Sequence, residues 1–119
     1  MTKQQNSAFP PLFSAFQRGG VLKRAHPRHA CRMAAELEMP EKALVLDGML
    51  LEISRSGALF REASRYILDR RGAKVSLHVA GLALSGSIVN VSPMGYGIRL
   101  DQLVDEADLG DLLRMPNAA

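Results

Sequence analysis

Residues 31–39 read Cys-Arg-Met-Ala-Ala-Glu-Leu-Glu-Met, with Cys31, Met33, Ala35, Leu37 and Met39 on one face and Arg32, Glu36 and Glu38 on the other. A period of two places successive side chains on opposite sides of an extended backbone, so the stretch predicts a half-buried β-strand. Pro40-Glu-Lys42 breaks the pattern, and Asp47-Gly48 adds a second turn signal. Beyond it, residues 49–54 and 58–61 predict two further strands, the second following Gly57. Val75–Val79 alternates again, as do Leu82, Leu84, Gly86, Ile88 and Asn90, and Tyr96–Leu100 closes the series after Gly95. Short strands at this spacing predict an antiparallel barrel or sandwich. Residues 62–72 are compatible with a short helix or an irregular link. Residues 103–114, with Leu103, Val104, Leu109, Leu112 and Leu113, predict one terminal helix, which Gly110 weakens.

The chain's 119 residues amount to a single domain, since one hydrophobic core serves about 100–150 residues without help from a metal or disulfide. With 47% hydrophobic and 23% charged residues it is too apolar for a disordered protein. A single cysteine excludes an internal disulfide, which makes a reducing cytoplasm the expected compartment. The first 22 residues differ from the rest in holding Pro10-Pro11, Gly19-Gly20 and three of the four Phe. They are read as a tail before a domain spanning 23–119. The apolar stretch 8–16 is short and broken by prolines, a poor signal peptide and too short to span a bilayer. No membrane insertion is expected.

The net charge of +3 conceals an asymmetry. Residues 1–35 carry Lys3, Arg18, Lys23, Arg24, Arg28 and Arg32 and no acid, whereas residues 36–119 hold nine bases against twelve acids. A basic arm before a mildly acidic body is either a solubilising tail or a segment that meets an anion. Catalytic signatures are sparse. His26, His29 and His78 have no metal-ligand spacing with Cys31. No Gly-rich loop leads into a helix, and no nucleophile-elbow pattern surrounds a serine. Cys31 belongs to the apolar face of its strand and reads as a small core residue. A binding module, not an enzyme, is expected.

Two segments carry the binding signal. Lys23-Arg-Ala-His-Pro-Arg28 places an R-x-x-x-R directly before the first strand, and Pro27 forbids a regular helix there. Arginine suits anion capture because its planar fork pairs bidentately with phosphate or with the O6/N7 edge of guanine. The second segment, Glu52-Ile-Ser-Arg-Ser-Gly57, sets an acceptor, a hydroxyl and a glycine at a strand end. By itself it reads as a strand-to-turn junction capped by serine.

In this order and spacing the two segments resemble the PilZ domain, a bacterial receptor for the second messenger cyclic di-GMP. The resemblance covers about residues 22–101. It rests on Arg24-Ala-His-Pro-Arg28 for the family's R-x-x-x-R, on Glu52–Gly57 for its [D/N]-x-S-x-x-G, and on the Gly-rich closing strand 94–100. It implies a six-stranded antiparallel β-barrel. It also implies that Arg24 and Arg28, with Lys23 adding charge, grip guanine edges and phosphates, and that Ser54 and Gly57 line the barrel surface beneath the ligand. Glu52 stands where the family has Asp or Asn and would accept from a guanine's Watson–Crick edge. A second match, Asn90-Val-Ser-Pro-Met-Gly95, lies before the last strand and reads as a hairpin turn.

The resemblance thus implies a non-catalytic cyclic di-GMP receptor or adaptor, needing no cofactor or metal. Its basic arm closes over the ligand and alters binding of an effector protein in second-messenger signalling, as in motility or biofilm formation. The rival readings are a module of the same fold that does not bind cyclic di-GMP and serves motility or pilus machinery, and a small nucleic-acid-binding barrel. Against the last, the body offers only Phe60, Tyr66 and Tyr96 for base stacking.

Overall fold

A computed structural model describes residues 26–116. The proposed tail, Lys23 and Arg24 lie outside the described residues. Six strands, β1 (His29–Met39), β2 (Leu44–Ile53), β3 (Gly57–Glu62), β4 (Lys74–Val79), β5 (Leu82–Ser92) and β6 (Gly95–Leu100), precede one helix, α1 (Glu106–Leu113). They close into a barrel in the order β1-β2-β3-β6-β5-β4, antiparallel at every junction. Closure leaves the sheet no free lateral end, which for a small all-β chain removes the hazard of edge-to-edge pairing.

The alternation of β1 survives intact: Met33, Ala35, Leu37 and Met39 are buried while Arg32 and Glu36 face out. Each strand contributes inward residues in the same way. Leu37, Leu50, Ile53, Phe60, Leu77, Ile88 and Tyr96 form the innermost layer, every one of them almost wholly enclosed. Tyr96 is fully buried yet satisfied, since its hydroxyl donates to Leu68 O at 2.9 Å and accepts from Arg70 Nε at 3.1 Å. Those two bonds hold the 63–73 link against the barrel in irregular form, settling the choice left open by sequence.

Two sequence expectations are corrected. Asp47-Gly48 is no turn: it lies within β2, which begins at Leu44, and the turn is a single 3₁₀ segment at Pro40–Lys42 followed by left-handed Ala43 (φ 50°). Gly48 is there because β3 crosses at close range. A Cβ at this position would fall 2.6 Å from Phe60 Cζ and against the Arg61 carbonyl oxygen. A D-G pair signals a turn only where nothing packs on the glycine.

The helix also starts later than residue 103. The backbone N–H and C=O of Val104 are both engaged by Arg55, at 2.8 and 2.9 Å, so neither is available to a helical ladder. Asp105 then serves as N-cap, its side chain accepting from Ala107 N at 3.2 Å. Val104, Leu109 and Leu112 are buried, whereas Leu103 is left half in water.

Candidate ligand-binding site

The site lies at one end of the barrel, where β1 begins, β2 ends and β3 starts. Antiparallel register sets His29 opposite Ile53 and Ala30 opposite Glu52. Residues 24 apart in sequence are thereby brought together: Arg28 Nη1 lies 3.4 Å from Glu52 Oε1. Both side chains are well exposed, 51% and 38%, so the pair contributes at most about 1 kcal/mol to stability and remains open to exchange for another partner.

Beneath them, Ser54 is 5% exposed and its Oγ is taken up by the β2–β3 turn. It accepts from Ser56 N at 3.2 Å and Gly57 N at 3.0 Å, while lying 3.3 Å from Gly57 O, to which it donates. This hydroxyl shapes the turn, as a serine-capped junction does. Gly57 opens β3 against its neighbour β6, its Cα opposite that of Arg99. Arg28 thus meets Glu52, and Ser54 and Gly57 are bonded to each other in the turn that follows Glu52 along the chain.

Register also assembles neighbours that no sequence spacing signalled. A cross-strand row runs Ala30–Glu52–Leu59–Gly97–Asn90 over the outer surface. Gly97 leaves one position of that row without a side chain, between Leu59 and Asn90 and near the exposed Arg99. Arg55, inside the second motif, is likewise missed by pattern reading: its partners Val104 and Glu106 are some fifty residues away along the chain.

Cys31 sits behind this surface, its Sγ 3.6 Å from Leu50 O. Burial pushes its thiol pKa up, and the neighbouring Glu52 carboxylate adds to the effect. The protonated thiol is a poor nucleophile, in keeping with a packing role. His78 pairs with Glu38 at 3.0 Å on the polar face of β4 and β1. An open groove of about 530 Å³ lies elsewhere, beside β1 and the β4–β5 turn, lined by Glu36, Asp47 and His78 among small residues. Its carboxylates have the wrong sign for a phosphate ligand. The candidate site is thus an exposed surface that lies outside this groove. Among the described residues no group of three or more His, Cys, Asp or Glu stands close enough to hold a metal ion. No helix among them is long and apolar enough to cross a membrane.

A closed six-stranded antiparallel barrel, with Arg28 meeting Glu52 of β2 just before a serine-capped turn, defines a small β-barrel domain. The chain belongs to the PilZ domain family: the family model matches residues 22–115, most of its length. The match extends past the barrel through α1, beyond the 22–101 span carried by the motifs. The family is one of cyclic di-GMP receptors and adaptors, generally non-catalytic. No curated protein matches the chain.

Proposed function

We propose that this protein is a non-catalytic cyclic di-GMP receptor or adaptor of the cytoplasm, whose basic arm folds over the ligand on the barrel surface and changes how an effector protein is bound. The observation that carries this reading is the meeting of Arg28 with Glu52, two residues before the serine-capped Ser54–Gly57 turn. Two segments remote in sequence supply, at one place, a cation for phosphate and guanine edges and an acceptor for guanine N–H groups. Lys23 and Arg24 precede Arg28 by at most five residues, about 17 Å of extended chain, which keeps them within reach of the same dianion. The exposed ion pair opens at little cost, and Arg28 exchanges one carboxylate for a phosphate. Ordering the arm costs conformational entropy, which the new charge-assisted bonds offset.

Calorimetric titration with cyclic di-GMP, on the wild type and on Arg24→Ala/Arg28→Ala, tests the reading. Binding that disappears in the double variant supports it. Absence of both heat and thermal shift up to about 0.5 mM ligand sinks it.

The same ion pair favours a second reading, in which the domain is an interaction module without ligand. Glu52 is longer than the family's Asp or Asn, and its carboxylate already occupies Arg28. In that case an effector is recovered equally well with and without cyclic di-GMP.

A further inference from the structure

Arg55 lies within the second motif, one residue beyond Ser54, yet it faces away from Arg28 and Glu52 toward the C-terminal segment. Its backbone carbonyl accepts from Val104 N at 2.8 Å, and its side-chain Nε donates to Val104 O at 2.9 Å. One residue thus consumes both polar groups of a nearly buried backbone unit. Its Nη1 also reaches Glu106 in the first turn of α1, at 3.6 Å. The next residue continues the seam, as Ser56 O accepts from Leu100 N at 2.9 Å. The Arg55 bonds join the β2–β3 turn to the segment that launches α1, and the Ser56 bond joins it to the end of β6.

We infer that Arg55 is a positioning residue that makes the Glu52–Gly57 turn and the C-terminal helix one mechanical unit, so that occupancy of the turn is read out at α1. Opening α1 away from the barrel strands Val104's N–H and C=O unless Arg55 moves with them, and Arg55 moves only if the turn does. Buried backbone groups left without partners are costly, so the two open together. The Glu106 contact, with one partner 80% exposed, adds little; the grip is on Val104. Cyclic di-GMP enters only through the proposed function above; the clamp itself is a property of the ligand-free chain.

Hydrogen–deuterium exchange resolved to short peptides tests it on the full chain, using the wild type, Arg55→Ala and Glu106→Gln. A ligand at 100 times its Kd suppresses about 100-fold those openings that release it. In the wild type, cyclic di-GMP slows exchange both at residues 53–58 and at 109–113. In Arg55→Ala the slowing persists at 53–58 and drops below about threefold at 109–113, while Glu106→Gln behaves as wild type. Strands β4 and β5 serve as an internal control for intact folding. Equal protection of 109–113 in Arg55→Ala and the wild type overturns the coupling, as does protection confined to the turn in the wild type. If the ligand produces no protection anywhere, it is the receptor reading that fails. The ligand-free comparison then decides: the clamp requires faster exchange at 54–57 and 104–113 together in Arg55→Ala and not in Glu106→Gln, and unchanged rates overturn it.

Discussion

The chain contains the same local pattern twice, at Glu52–Gly57 and at Asn90–Gly95. In both, the serine hydroxyl caps a turn: Ser54 Oγ accepts from two backbone N–H groups, Ser92 Oγ from Met94 N at 3.1 Å. The leading residues even share one cross-strand row, Glu52 and Asn90 separated by Leu59 and Gly97. What differs is the company. Glu52 meets Arg28 and its turn is clamped to α1 through Arg55, whereas the second pattern closes the β5–β6 hairpin around Gly95 at φ 131°, with Arg61 of β3 donating to the Pro93 carbonyl and no acidic leading residue for an arginine to pair with. A hydroxyl followed by a glycine is turn chemistry wherever it occurs; the fold sets the two copies apart by what it brings alongside.

The two glycines make the largest expected contrast. Gly95 holds a backbone conformation that side chains rarely adopt, and a Cβ there runs into the Phe60 carbonyl. Gly95→Ala is expected to cost about 3 kcal/mol. Gly57→Ala, with an ordinary φ and the Ile98 carbonyl oxygen 3.0 Å from the added carbon, is expected to cost about 1 kcal/mol. Urea unfolding midpoints measure both, and equal losses break the distinction.

Ser54→Ala strands two amides in a buried turn and is expected to lose about 2 kcal/mol. Ser92→Ala frees one amide at a wetter hairpin and is expected to lose about 0.5 kcal/mol. Thermal unfolding separates them, since about 1 kcal/mol moves Tm by roughly 4–8 °C in a domain of this size.

Ligand affinity sharpens the contrast further. Arg28→Ala is expected to weaken cyclic di-GMP binding by tenfold or more, about 1.4 kcal/mol, while Asn90→Ala changes it less than about twofold. Titration calorimetry reads both; comparable losses mean the two ends of the row act together.

The smallest effect concerns stability at Glu52. Because the Arg28–Glu52 pair is exposed, Glu52→Gln is expected to shift stability by less than about 1 kcal/mol, and any difference from the wild type shrinks in 0.5 M salt. A larger, salt-insensitive loss implies that the pair is structural and not held in reserve for a ligand.

Much of this architecture was legible beforehand, and the reasons are local. Inward-facing residues must recur with period two in a half-buried strand, so β1, β4, β5 and β6 announce themselves, and a hairpin between Asn90 and Gly95 follows from Ser, Pro and Gly chemistry. Asp47-Gly48 misled because the demand on that glycine comes from Phe60 and Arg61 on another strand. The late start of α1 was hidden for the same reason, Val104 being claimed by Arg55 across the fold. At the candidate site, Arg28, Glu52, Ser54 and Gly57 were marked by spacing and family likeness and Gly97 by the Gly-rich closing strand, but Leu59, Arg99 and Arg55 carry no pattern of their own.

The sequence by itself therefore determined the strands, the cationic entry segment and the two serine-capped turns, because periodicity, charge and turn chemistry act between near neighbours. Tertiary structure alone decided that Arg28 pairs with Glu52 while Arg61 donates to the Pro93 carbonyl of the other turn, which glycine is under close approach, and that Arg55 ties turn to helix. Those outcomes depend on barrel closure and antiparallel register, which bring together residues that the chain keeps up to about fifty positions apart.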